Sequence, residues 1–477
     1  PFMNIIWFRQ DLRIHDHAAL WHASQHGPML ALVILSPQQW LLHHDAAVKI
    51  DLYVRQLHDL KQSLAQLNIP LLILNIPLWQ DIPRQLSSVC HTLQVQKIFA
   101  NIEMGVNELK RDAEVQQCLN QQHIEFTLFQ DRTLFPLNSI RNQSGKPYQV
   151  FGAFKKTCYE RLNIGLPQCY PLPSAQQPIQ LPADLNTTIA HIESLIDVNT
   201  NELNQINAYW PETEIYALSV LDDFIDHKVS DYQKERDFPF LNSTSQLSTY
   251  LNLGIVSIRQ CLNALFRAQH GQFMIDNTGQ QTWLDELLWR EFYQHILFDF
   301  PHVSKHLPFK ASTQRIVWRD SPEDLNAWQQ GRTGIPIVDA GMRQLLATGW
   351  MHNRVRMIVA MFLTKNLLID WRLGEQWFMQ HLADGDLAAN NGGWQWCAST
   401  GTDAVPYFRV FNPVSQSQKF DSNGDYIRQW LPELAHLDAK SIHEPYAKQP
   451  NMDLDYPQPI VDLKSSRIRA IEAFKGL

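Results

Sequence analysis

The 477-residue sequence holds no apolar run of the roughly 18 residues that a membrane-crossing helix needs, which predicts a chain without a membrane span. No secretory signal opens it. Its six cysteines, Cys90, Cys118, Cys158, Cys169, Cys261 and Cys397, lie scattered, and none forms a C-x-x-C pair. Zinc and dithiol chemistry are therefore not expected, no metal is, and a reducing cytoplasm is the natural setting. G-x-G-x-x-G is absent, which removes the dinucleotide fingerprint. No segment repeats. Positive charge is in deficit too: a net charge of -8 gives no support to nucleic-acid binding taken over the whole chain.

What the chain does have is enough apolar material, 45% with 18% charged residues, for two or three domains with their own cores. Short runs of Ile, Leu, Val and Phe at Met3–Phe8, Met29–Leu35, Leu71–Leu74, Lys97–Ala100 and Glu125–Phe129 read as strands. Helical patterns at Ala46–Leu67, Leu78–Leu93 and Val106–Gln121 separate the later ones. Strands alternating with helices predict an α/β domain over residues 1–130, a doubly wound parallel sheet covered on both faces. Residues 131–203 carry Pro136, Pro147, Pro167, Pro171, Pro173, Pro178 and Pro182 among glutamines and serines, the composition of a long connector. Helical periodicity rules residues 204–477, an all-α domain. Ser257–Ala268 and Trp283–Phe298 are examples. Ser321-Pro322-Glu323-Asp324 is a helix start, and Asn353–Ile369 is a helix with Val355, Ile358, Val359, Phe362, Leu363 and Leu367 at helical spacing.

Several stretches carry candidate chemistry. Lys305–Arg356 has eight Lys/Arg against four Asp/Glu, compatible with a phosphate-facing patch or with a solvated face. Ser243–Ser248 precedes a helical pattern, where hydroxyls and unpaired backbone N–H groups either cap the helix or hold a phosphate. On Trp283–Phe298, Leu284, Leu287, Leu288 and Phe292 form a core stripe. Glu286, Trp289, Arg290 and Tyr293 share a second face, bringing together a carboxyl, a cation and aromatics. Asn353 and Met357, four apart, also share a face. Asp384–Pro413, DGDLAANNGGWQWCASTGTDAVPYFRVFNP, shows almost no helical or strand periodicity, so it reads as a long irregular segment. Its aromatics and Asn-Gly turn chemistry argue for order, and residue types alone also allow a structured loop that packs two tryptophans.

That last stretch is more specific than its composition. Through NNGGWQW, STGTDA and PYFRVFNP it resembles the flavin-binding core of the photolyase/cryptochrome family, most closely the class I cyclobutane pyrimidine dimer photolyases. The likeness extends over nearly the whole chain, with residues 131–203 its weakest part. It implies an N-terminal antenna domain and a helical domain that binds FAD, active as FADH⁻, in a monomer that repairs ultraviolet-damaged DNA in the cytoplasm, at the nucleoid when bound. The resemblance assigns the flavin to Tyr232, Thr244, Ser245, Gln246, Leu247, Ser248, Glu286, Asn353, Arg356, Asp384, Asp386 and Asn390. Many relatives carry arginine where this chain has Gln246. Arg356 matches the partner of the aspartate at Asp384, and Asn390 matches the residue facing flavin N5. Glu286, Trp289, Asn353, Met357 and Trp396 match the groups around the dimer, and Arg236, Trp289, Arg290, Asn353, Arg354 and Trp396 those that face DNA. Trp318, Trp371 and Trp394 match a chain of tryptophans that carries an electron to the flavin. Asn107, Glu108 and Lys305 match positions that hold 5,10-methenyltetrahydrofolate as an antenna.

Two other readings share the scaffold. A blue-light receptor of the cryptochrome kind is disfavoured by Asn390, where plant cryptochromes carry aspartate and animal ones cysteine, and by a chain that ends near Leu477 without a long tail. A (6-4) photolyase wants a histidine pair in the pocket, and Asn353 stands where the relevant histidine would lie. An unrelated α/β nucleotide-binding protein would show no flavin absorption.

Overall fold

Five apolar segments become the five strands found among the described residues: β1 (Met3–Phe8), β2 (Met29–Leu35), β3 (Leu71–Asn75), β4 (Val95–Asn101) and β5 (Glu125–Phe129). The computed structural model describes residues 2–477. All strand pairs are parallel, in the order β3-β2-β1-β4-β5. A sheet covered on both faces wants unbroken hydrophobic strands, and every residue of β2 is buried. Register places Leu30, Ile5, Ile98 and Phe126 in one row across the sheet, and Leu72, Leu32, Trp7 and Ala100 in the next but one. These rows pack against Leu86 and Cys90 of the Ile82–Leu93 helix and Val115 and Leu119 of the Val106–Asn120 helix. The doubly wound sheet is thus the one the sequence predicts, its helices shifted by a few residues at their ends. The short helices Ala18–Ser24 and Pro37–Leu42 were not legible in the pattern.

The chain forms two compact units. One comprises the residues up to Ser230 together with Ser245–Pro301; the other comprises Asp231–Thr244 with His302–Leu477. Within the first, the Ile258–Leu265 helix is fastened to the sheet by buried charge. Its start is a capping box of Ser257 and Gln260. Arg259 donates to Asp131 at 2.5 Å and to Asp16 at 3.0 Å, and Arg13 donates to Asp131 at 2.6 Å. Burial alone would raise the Asp131 carboxyl, but the two guanidiniums hold it well below the usual carboxylate range.

The proline-rich span also holds a helix, Phe151–Ile164, with Phe151, Phe154, Cys158 and Leu162 buried. Pro147 and Pro167 bracket this helix rather than interrupt it, so composition hid a 3.6-residue period. It packs on the long helix Thr278–Asp299. There the predicted core stripe of Leu284, Leu287, Leu288 and Phe292 is buried. Glu291 joins it, fully buried, accepting from Leu134 N at 2.9 Å, Phe135 N at 3.1 Å and His295 Nε2 at 2.8 Å.

In the second unit the helices Pro336–Thr348, Asn353–Met361, Trp371–His381 and Leu387–Cys397 share one core, with Trp328, Met342, Val359, Phe378 and Trp394 among its members. The Pro322–Gln329 helix starts as the sequence predicts, with Ser321 as cap and Pro322 first. Two expectations give way. Asn353–Ile369 is not one α-helix: it ends at Met361 and widens into a π turn, Phe362–Asn366, closed by Leu367 N on Phe362 O at 2.9 Å. The wider turn admits Lys365 to the interior, where its Nζ donates to Ser399 Oγ at 2.8 Å. Asp384–Pro413 is not irregular throughout, since Leu387–Cys397 is helical. Its Asn and Gly residues are poor helix formers, and its cap and its buried face override that preference. Among the described residues no helix is long and apolar enough to cross a membrane.

Candidate active site

The Leu387–Cys397 helix is the centre of the second unit's site. Asp386 caps it, its carboxylate accepting from Ala389 N at 3.1 Å. Ala388, Asn391, Trp394, Gln395 and Cys397 are buried, and the Trp394 indole stands edge-on to Phe378 at 4.9 Å and to Trp328 at 5.8 Å. Gly374 makes room for it: a Cβ there would overlap the Trp394 ring. Asn390, buried, donates its side-chain amide to Glu375 O at 3.0 Å. Its Oδ1, an acceptor only, remains for a donor. One turn on, a Cβ at Gly393 would meet nothing within 4 Å, and Trp396 follows half-buried one turn further.

The Asn353–Met361 helix supplies a second set. Asn353 Nδ2 lies 3.8 Å from Met357 Sδ, so the two residues predicted to share a face touch. Arg356 grips Asp384 with both terminal nitrogens, at 3.2 and 2.9 Å, and donates Nε to Met351 O at 2.6 Å. The Asp384 side chain is 5% exposed, so this forked pair is a largely desolvated one. Arg354 donates to Asp237 at 3.1 Å and lies 4.4 Å over the Phe420 ring. Arg236 lies 5.4 Å over the ring of buried Tyr232.

His352 starts this helix, and the sequence reading gave it no role. Its Nδ1 accepts from Arg354 N at 3.1 Å and its Nε2 meets Arg236 O at 2.7 Å. Burial pushes its pKa down to about 4, so the ring is neutral near pH 7, with Nε2–H the donor. A histidine directly before an Asn-Arg helix start is the signal that could have found it.

Trp371 and Trp394 are buried in the core, and Trp318 packs half-buried against the same cluster. The Trp318 ring stands edge-on to Phe474 at 6.1 Å.

In the first unit, Trp289 lies flat on Phe151, 3.8 Å between centroids, and tilts against Tyr293 at 5.6 Å. Glu286, one turn earlier, is half-buried. Arg290 instead donates to Arg132 O at 3.0 Å and joins a cleft lined also by Arg9, Arg13, Asn101, Glu103 and Arg132. Arg9 and Arg13 follow β1, Asn101 ends β4 and Glu103 follows it, at the place where strand order reverses and α/β sheets open a crevice. Leu247 is buried, while Gln246 is exposed with φ +54°. Ser245 Oγ accepts from Leu247 N at 3.3 Å. Thr244, in the second unit, and Ser245 are half-buried, and Ser248 is exposed. The N-cap of the helix behind them, Ser248–Asn252, is Leu247, whose side chain makes no cap bond. Asn107 meets His43 Nε2 at 3.0 Å. Glu108 folds back over Gly105, and burial pushes its carboxyl up to about 7. Lys305, in the second unit, is exposed.

Comparison with known proteins adds the relatives. Residues 4–176 match the family described as DNA photolyase, and residues 283–476 the FAD binding domain of DNA photolyase. The deoxyribodipyrimidine photo-lyase of Escherichia coli is 42% identical over 477 residues, 99% of this chain and 98% of that protein. That of Vibrio cholerae is 42% identical, over 99% of both chains. Among solved structures, a class III photolyase from Agrobacterium tumefaciens superposes with a TM-score of 0.84 at 34% identity, covering 99% of this chain and 96% of its own. A Synechocystis cryptochrome superposes with a TM-score of 0.86 at 28% identity, covering 99% of both. A parallel five-stranded sheet with a helical FAD-binding domain defines the photolyase and cryptochrome class of flavoproteins. Within it, the chain belongs to the DNA photolyase family.

Proposed function

We infer that this protein is a class I enzyme that uses light to split cyclobutane pyrimidine dimers in DNA, with FAD as its cofactor. The full-length 42% identity to the deoxyribodipyrimidine photo-lyases carries this reading. The residues present suit the flavin. With its amide tied to Glu375 O, Asn390 offers Oδ1, which suits the N5–H of a reduced flavin. The helix face beside it is open at Gly393. Reduced FAD supplies the photoexcited electron that opens the cyclobutane ring.

The remaining work belongs to the protein. Enzymes that act on bases, photolyases included, take the base out of the stack, and a dimer stacks and pairs poorly, so its extrusion costs less. Arg236, Arg290 and Arg354 are the cations assigned to phosphates around the lesion. Trp289, held flat by Phe151, presents a rigid aromatic face to the extruded pyrimidines, and Trp396 a second. Glu286 is the hydrogen-bonding partner assigned to the damaged pyrimidine. Asn353 and Met357, already in contact, line the lesion and the flavin. Tyr232, Thr244, Ser245, Gln246, Leu247 and Ser248 hold the FAD phosphates. Arg356 and Asp384 fix the polypeptide at the flavin, with Asp386 at the adjoining helix start. Trp318, Trp371 and Trp394 carry the electron that reduces an oxidised cofactor. Asn107, Glu108 and Lys305 hold a methenyltetrahydrofolate antenna.

Illumination of reduced protein with a thymine-dimer oligonucleotide tests the reading. Intact lesions after illumination would reject it in favour of a receptor on the same scaffold. Glu286→Ala should lower repair per absorbed photon while FAD stays bound, and an unchanged quantum yield would remove Glu286 from the reaction.

A further inference from the structure

Glu375 holds two consecutive asparagines with two parts of itself. Its main-chain carbonyl accepts from Asn390 Nδ2 at 3.0 Å, and its carboxylate Oε2 accepts from Asn391 Nδ2 at 2.7 Å. The other carboxylate oxygen meets His306 Nδ1 at 2.5 Å. The Glu375 side chain is 3% exposed and that of His306 50%. A buried anion next to Asn390 therefore has its counter-charge on a ring that reaches water. The rest of the network is occupied: Asn391 Nδ2 also donates to Val303 O at 3.2 Å, and Asn391 Oδ1 accepts from Gln395 Nε2 at 2.9 Å. The His306 backbone sits at φ +59°, a conformation that residues with side chains keep where their surroundings hold it. The bond to Glu375 is such a hold.

We propose that His306 is a positioning residue for Asn390: its imidazolium, paired with the buried Glu375 carboxylate, fixes the helix turn that anchors the Asn390 amide and ties the lifetime of the reduced flavin to pH. The proposal rests on the reading that Asn390 faces flavin N5. The charged groups facing His306 are Glu375 and Arg372, both on the Trp371–His381 helix. Arg372 donates Nε to His306 O at 2.6 Å and is itself paired with Asp370. The hydrogen bond to Glu375 raises the His306 pKa above its ordinary value, outweighing burial and the Arg372 charge. Below that raised value the ring is a cation and neutralises the carboxylate. Above it the carboxylate is uncompensated, which weakens the clamp and disfavours an anionic reduced flavin nearby. The reduced state is thus held best on the acid side and loses that support as pH rises through the His306 pKa.

The test is aerobic reoxidation of the reduced holoenzyme, followed by flavin absorbance from pH 6 to 9, with unfolding midpoints to show that each variant is folded. In the unsubstituted protein reoxidation should quicken with pH by about fivefold, the lower end of site-to-site coupling. His306→Gln should be fast at every pH, and His306→Lys, which keeps the charge, slow at every pH. The flavin's own protonation is common to all three proteins. Unchanged pH profiles in both variants would overturn the proposal. Asn390→Ser separates the two layers. If it alters reoxidation while the His306 variants do not, only the clamp fails; if it is inert, the reading of Asn390 fails and the clamp with it.

Discussion

Gly374 and Trp394 occupy adjoining helices so closely that a Cβ on the glycine would overlap the indole ring. The Trp371–His381 and Leu387–Cys397 helices pack at that point, and the ring has no space to retreat because Phe378 and Trp328 stand on its other sides. Gly374→Ala should therefore destabilise the fold by about 1–3 kcal/mol, the usual cost of overpacking a filled core. Adding Trp394→Phe should return part of the loss, read as a coupling in a double-mutant cycle of denaturant midpoints. Purely additive effects would mean that the two residues do not press on one another.

Arg356 and Asp384 make a forked pair whose carboxylate is buried. Arg356→Leu leaves that carboxylate without its cation, a loss of about 3–5 kcal/mol when one member of a buried pair is removed. Arg356→Lys keeps the charge but not the fork, so it should cost less stability while still lowering the flavin bound per protein. Flavin absorbance after gel filtration, beside a thermal melt, distinguishes the two losses.

Asp131 is the common acceptor of Arg13 and Arg259. Asp131→Asn should destabilise the unit that contains the sheet by about 3–5 kcal/mol, because buried Arg13 loses its paired carboxylate and buried Arg259 keeps only Asp16. Chemical denaturation measures it. The stability conferred by Asp131 is present above the ordinary carboxylate pKa and fades only in strong acid, since its folded pKa lies well below that value. The effect should therefore be the same at pH 6 and pH 8.

His352 is buried and neutral, with its pKa lowered from 6.5 to about 4. The unfolded chain binds a proton there between those values and the folded chain does not. Its contribution is complete above about pH 6.5 and is lost as the pH falls towards 4, a fall of about 3 kcal/mol at about 1.4 kcal/mol per pH unit. Burial also raises Asp339 and Asp421 to about 6, which favours the folded state on the acid side and opposes the His352 effect. The difference between wild type and His352→Gln isolates His352: it should shrink from pH 7 to pH 4.5. A constant difference would mean that folding does not shift the His352 pKa.

Much of this was legible because the information is local. Strands such as β2 and the Ser321-Pro322 helix start depend on residues adjacent in sequence, and periodicity or capping chemistry reveals them. The Asn353 and Met357 contact follows from four-residue spacing alone. The Leu387–Cys397 helix was not legible, because Asn and Gly suppress its period and its stability comes from Asp386 at the start and Trp394 in the core. The helix between Pro147 and Pro167 was masked by composition. Glu375 and His306 escaped notice because they lie 69 residues apart and only packing brings them together.

The sequence by itself determined the alternation of strands and helices, the family likeness and the identity of the groups assigned to flavin and lesion, since these rest on residue type and short spacing. The tertiary structure alone decided which charges are buried and with whom. Asp131 between two arginines, Asp384 in the fork of Arg356 and Glu375 between His306 and Asn391 are pairings of residues far apart in the chain. A carboxylate's behaviour depends on how much water it loses and which cation replaces that water, and only the folded chain sets both.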